Sequence, residues 1–410
     1  MKAGLGWIDF SEDHRNRVFS VIEMLNEGGT VDELGIGVMR DAIADYLFPG
    51  VSTIQTRPKY FILIPQLIQT YIKDYQGKLP MQRLSSWFAK YEHQLMHQLA
   101  RSYNYQDNNG VIGINVAKND KQLVRTASSV YWNGIRKHNI VDTNYSLNEY
   151  LAKNNLEGMS RNNMSGDQSD DDEGLAELGM FKLNLPLFGK TEKITMDLTA
   201  AEARYLRDQF RDNSSGKKEP DNLLGQLMIH RELALNAVAT KDFSTFADYL
   251  LSSGKLPAST ARFLKLAVAF EFITHGAHIR YNMMLHQQAG VIDYFNDWAI
   301  WLKQLNDSQY LLEEFDLDFL LLEIAPQTNP ETKIFLKNWY HGINEVIPDT
   351  NRLDKLVRQQ EQNNKKERAK LGSKSGEYKK WVGIETLSFR FTQVRAIIND
   401  IYKPLEDAGF

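Results

Sequence analysis

Arg57 and Lys59 close the most unusual local stretch of this sequence, Phe48 to Tyr60. Pro49-Gly50 opens it, and Ser52, Thr53, Gln55 and Thr56 precede the two cations. Hydroxyls, backbone amides and a guanidinium gathered in one loop are the groups that hold a phosphate. The loop lacks the glycine spacing and the Gly-Lys-Ser or Gly-Lys-Thr ending of a P-loop, so nucleotide hydrolysis is not expected. The competing reading is a structural turn whose hydroxyls cap the next helix.

Two other stretches are locally basic. Between Lys118 and His138, five cations (Lys118, Lys121, Arg125, Arg136, Lys137) face Asp120 alone, a formal +4, with Tyr131 and Trp132 between them. A short helix ending at Arg136-Lys137 and an extended Ile140 to Tyr145 segment make a winged-helix-like unit for a DNA groove. Equally, the aromatics pack inward and the cations stay solvated. From Arg352 to Trp381, ten basic residues face four acids, a formal +6. Lys365, Lys366, Arg368 and Lys370 are its densest part, and phosphate-backbone binding competes there with a solvated helical hairpin.

The remaining chemistry-bearing residues point to no catalyst. His93 and His97 sit four apart, but Gln94 stands where a zinc protease needs its glutamate, and no third ligand is evident, so no metal site is expected. His275, His278 and His286 lie in an apolar helical pattern and read as core histidines. Asp9, Glu12, Asp32, Glu33, Asp41 and Asp45 are dense, yet helix starts attract acids. A metal-dependent nuclease with a scattered acidic site is the enzymatic alternative. Cysteine is absent, which removes disulfides, thiolate metal sites and a cysteine nucleophile. Neither a cofactor nor a catalytic residue is expected.

The elements that must position these groups are helices. The 410 residues carry 42% hydrophobic and 24% charged side chains, the balance of a folded globular chain of two or three packed units. The net charge of -4 gives no global attraction to nucleic acid, so any such affinity is local. Ser11-Glu12-Asp13 predicts a capped helix up to Gly28, and a second follows Gly37, with Met39, Ile43, Ala44 and Leu47 on one side. Tyr60 to Ile72 predicts a Pro-kinked helix, with a strand over Tyr60 to Ile64 as the alternative. Helices follow at Leu84 to Tyr103 and Ser128 to His138. The C-terminal half predicts helices at Thr199 to Arg211, Leu223 to Val238, Phe243 to Leu251, Thr260 to Leu285, Asp293 to Leu305, Glu331 to Val346, Leu353 to Leu371 and Ile384 to Ile401. In the last, Leu387, Phe391, Val394, Ile398 and Ile401 form one apolar stripe.

The fold class is therefore mainly α. An N-terminal helical domain (1–153), with the small winged-helix-like unit, is expected to join a C-terminal all-helical bundle (181–410) through an acidic flexible linker (154–180). The linker contains Asp170-Asp171-Asp172-Glu173. Its charge opposes that of the Arg352 to Lys380 stretch, which suggests that it screens that surface until DNA or a partner displaces it. Met1 to Phe10 lacks a signal-peptide core and no apolar run approaches a membrane span, so a cytoplasmic location away from membranes is expected.

Several phrases resemble an uncharacterised bacterial family, domain of unknown function 6361. They are Gly6 to Ser11, Asp32 to Gly37, Arg40 to Asp45, Phe48 to Phe61, Ser128 to Ile140, Gly276 to Asn282 and Phe389 to Ile401. No catalytic residue comes with the resemblance. It does imply an association with bacterial anti-phage gene neighbourhoods that also hold helicases and nucleases. The expectation is a non-catalytic accessory component that binds DNA, or a helicase or nuclease partner, or both. A pure protein scaffold without nucleic-acid affinity is the other alternative.

Overall fold

The computed structural model of the chain describes residues 32–75, 82–106, 109–119, 123, 125–154, 181–189, 193–211, 221–291, 294–308, 312–372 and 380–409. Among them the fold is mainly helical, and its β structure is one isolated antiparallel bridge, Val141 to Leu183. The helix predicted before Gly28, Lys121 and nearly all of the acidic stretch lie outside the described residues.

Contacts group the chain into two compact units, each discontinuous in sequence. The first holds the described residues of Met1–Tyr46 with Ala247–Phe389, the second those of Leu47–Phe246 with Arg390–Phe410. The second therefore takes in residues from both sides of 154–180, a different partition from a division of the sequence at that point.

α1 (Gly37–Leu47), which belongs to the first unit up to Tyr46, ends at Pro49-Gly50, and in the second unit α2 (Tyr60–Tyr75) carries Pro65 within its span. Both faces of α2's first turns are buried, Tyr60 through Pro65, so packing outweighs the cost of an interior proline, about 3 kcal/mol. There is no strand over Tyr60 to Ile64. Helices α3 (Leu84–Ser102), α4 (Ile114–Lys118), α5 (Ala127–Lys137) and α6 (Leu147–Lys153) follow. Thr126 caps α5 and Ser146-Glu149 form a capping box on α6, a helix that its short length hid from periodicity.

After α7 (Ala200–Arg211), the single helix predicted from Leu223 to Val238 is two, α8 (Leu223–Ile229) and α9 (Arg231–Ala239), broken at His230 where the backbone turns extended. α10 (Phe243–Ser253) leads to the first unit's spine, α11 (Ala258–Gln288), 31 residues long and buried along nearly all of its second half. α12 (Phe295–Asp307) lays Trp301 against Gly276 of that helix. A short turn, α13 (Leu317–Phe319), continues as a π-turn over Leu320–Ile324 and precedes α14 (Pro330–Ile343).

Two predicted boundaries move. α15 (Thr350–Lys365) stops six residues short of Leu371, and α16 (Phe391–Asp407) starts seven residues after Ile384. Lys366, at φ 53°, and Arg390, at φ 65°, hold left-handed backbone at these two ends. The predicted stripe of the last helix is nevertheless buried throughout, Leu387 included.

Candidate nucleic-acid interface

The loop before α2 is braced by its own side chains. The Gln55 amide donates to the Gly50 carbonyl at 2.9 Å and accepts from the Ser52 amide at 3.2 Å. Thr56 Oγ1 donates to the Gly110 carbonyl at 2.6 Å, so this hydroxyl ties loop to loop and caps no helix. The Tyr131 phenol accepts from the amides of Thr56 and Arg57 and donates back to the Arg57 carbonyl.

The two cations of this loop are engaged by carboxylates. Arg57 Nε pairs with Asp400, and its Nη2 donates to Asp197 at 3.0 Å. Burial alone would lower the Arg57 pKa, but the two carboxylates outweigh it and raise it. At Asp400 burial is the stronger influence and pushes the carboxyl up against the pull of Arg57. Lys59 is buried, and its Nζ donates to both oxygens of Glu202 at 2.8 and 2.6 Å.

The second basic stretch is dispersed. Trp132 and Tyr131 pack inward, and the Trp132 indole and Arg136 Nη1 both donate to the Tyr145 carbonyl, at 3.0 and 2.9 Å. Arg125 is half-buried at the start of α5 and Lys137 is exposed at its end.

The third stretch divides by direction. Glu361 is fully buried and accepts from the Tyr281 hydroxyl at 2.8 Å and from the Lys370 and Leu371 amides at 2.8 and 3.0 Å. This folds the chain back after α15 and aims Lys365 and Lys370 at Glu33, itself 1% exposed. Lys366 and Arg368, on the other side of the turn, are exposed.

The two sides of α15 differ in character. Asp349 caps the helix, and Leu353, Val357, Gln360 and Glu361 form its buried side. At 3.6 residues per turn the opposite side is Asn351, Lys355, Arg358, Gln359 and Gln362, all exposed. No Asp or Glu of the helix lies among them. Lys355 and Arg358 were visible in sequence as members of the basic run; their offset from the apolar stripe was the signal that sets them apart from Lys365.

Among the described residues, no group of three His, Asp or Glu side chains is placed to hold a metal ion, and the His93 and His97 rings pack edge to face at 4.6 Å. His278 and His286 are core residues of α11. No described helix is long and apolar enough to cross a membrane.

Comparison with curated proteins and with solved structures finds no significant match to either. A family model described as a family of unknown function, DUF6361, matches residues 2–401, nearly the whole length, and the chain belongs to that family.

Proposed function

We propose that this protein is a non-catalytic, cytoplasmic component of a bacterial anti-phage assembly that contacts the DNA backbone through the outer face of α15. One observation carries the reading: the row of Asn351, Lys355, Arg358, Gln359 and Gln362, which holds no Asp or Glu; exposed Lys366, Glu367 and Arg368 follow the helix. Cations on such a row neutralise phosphates and release counterions, while the amides donate to phosphate oxygens. Because the whole chain is acidic, attraction must come from a local surface, and Arg57, Lys59, Lys365 and Lys370 are occupied by carboxylates. The defence setting rests on the family resemblance.

The test is fluorescence anisotropy of a labelled mixed-sequence duplex as salt rises from about 50 to 200 mM. Affinity should fall steeply, and Lys355→Gln with Arg358→Gln should reduce the log–log salt slope by about 1.8, or 0.9 per phosphate contact. An absence of binding, or an unaltered slope in the double variant, removes the reading.

A scaffold role has its own supporting observation in the first unit. Lys337 and Asp318 bridge α14 and α13 at 2.6 Å. Ile334 of α14 and Leu322 of the π-turn are both 60% exposed. Exposed apolar side chains of this size suit a protein partner better than DNA. If DNA binding fails, Leu322→Glu with Ile334→Glu should abolish association with the helicase or nuclease of the same system.

A further inference from the structure

The second unit carries a half-open cavity of about 460 Å³ between α2, α3 and α5, walled by Ile64, Met96, Leu99, Ile112, Leu123 and Ala127. That volume lies within the roughly 300–1,000 Å³ of small-molecule sites, which are mostly apolar with a few convergent polar groups. One of the groups here is a carboxylate. Glu92, on α3 and 9% exposed, lines the cavity together with Thr126.

Glu92 is held rigidly. The Ser128 amide donates to its Oε1 at 2.7 Å and the Ser128 hydroxyl to its Oε2 at 2.9 Å. The Thr126 hydroxyl reaches it as well. Every one of these partners is neutral, and among the described residues no lysine or arginine pairs with it. Lys90, also at the cavity, lies over the Tyr91 ring at 5.9 Å. A carboxylate offers about four lone-pair sites, and the two Ser128 donors leave room for a ligand.

A buried carboxylate is costly unless a cation meets it. Burial pushes the Glu92 carboxyl above its ordinary range, against the pull of Ser128. The walls demand an apolar body, and the carboxylate an N–H donor bearing positive charge.

We propose that this cavity is a binding site for a small primary amine with an apolar body, its ammonium donating to Glu92 and its hydrocarbon part lying against Met96, Leu99 and Ile112. The alternative is that Glu92 serves only to bind the first turn of α5, in which case ligand charge is irrelevant.

The experiment titrates the full-length chain with phenethylamine and, separately, with 3-phenylpropanoate, a molecule of similar shape and opposite charge, by calorimetry. Phenethylamine should bind saturably and the carboxylate should not. Glu92→Gln, which still accepts from Ser128, should weaken the amine about tenfold or more, the scale of one charge-assisted hydrogen bond. Ala89→Trp, at an exposed rim position, should block binding with the melting temperature unchanged. No saturable binding of phenethylamine, equal binding of the carboxylate, or undiminished binding in the rim variant each overturns the proposal. The rim variant decides the matter if Glu92→Gln does not fold.

Discussion

Lys59 and Glu202, 143 positions apart, form a two-pronged ion pair from which water is nearly excluded. Glu202 also accepts from the Thr199 amide and hydroxyl, so one carboxylate both closes the capping box of α7 and neutralises the cation at the entrance of α2. Removing one partner strands the other charge, at about 3–5 kcal/mol. Lys59→Met and Glu202→Gln should each destabilise on that scale. The double variant should cost clearly less than their sum, because neither charge then remains buried alone. Urea denaturation of the four proteins gives the coupling, and additive losses would contradict it.

A second expectation separates cations that hold the fold from cations that face solvent. Lys365→Met and Lys370→Met leave the buried Glu33 with a partner missing and should lower the denaturation midpoint. Lys355→Gln and Arg358→Gln, on the outer face of α15, should change stability by less than about 0.5 kcal/mol. If the two pairs behaved alike, the inward and outward division of this basic stretch would be wrong.

Most helices were legible because apolar residues recur at their period: Met39, Ile43, Ala44 and Leu47 in α1 are buried as that spacing predicts. Helix ends were less so. Nothing in the composition of Leu353 to Leu371 announces the left-handed residue at Lys366, since the turn is imposed by Glu361 reaching forward to two backbone amides. The break at His230 is of the same kind. Charge clusters divide for a related reason. Of the neighbours Lys365 and Lys366, the first meets buried Glu33 and the second is exposed, and the acids that claim Arg57 and Lys59 are over a hundred positions away. The Glu92 cavity left no trace at all, because its carboxylate and its walls are assembled from separate helices.

Gly134 of α5 should not tolerate a methyl group. An added Cβ would lie 2.5 Å from the Gly50 carbonyl oxygen and 2.7 Å from the Phe61 ring. That carbonyl is held by the Gln55 amide and cannot turn aside. Helix propensity alone favours alanine by about 1 kcal/mol, whereas overpacking costs about 1–3. Gly134→Ala should therefore lower the melting temperature, and a stabilised variant would refute the close approach.

His278 and Glu271, both on α11, carry opposite linkages to pH. Burial pushes the His278 imidazole down to about 4, with His275 adding to the shift and the Thr274 carbonyl opposing it. Burial pushes the Glu271 carboxyl up to about 7, against the pull of the Leu387 amide. For His278 the unfolded chain, near 6.5, binds more protons than the folded one as pH falls from 6.5 to 4, so stability present above 6.5 is lost across that window. For Glu271 the folded chain binds more protons between 4.5 and 7, so stability present below 4.5 is lost as pH rises through 7. Each pH unit within a window is worth up to about 1.4 kcal/mol. Going from pH 7 to pH 5, wild type should therefore lose up to about 2 kcal/mol more than His278→Leu. Over the same interval it should lose less than Glu271→Gln, because the glutamate's contribution grows as acid is added. Hydrogen exchange of the α11 amides, corrected for intrinsic rates, reads both differences. Identical pH profiles in all three proteins would mean that neither group is desolvated as described.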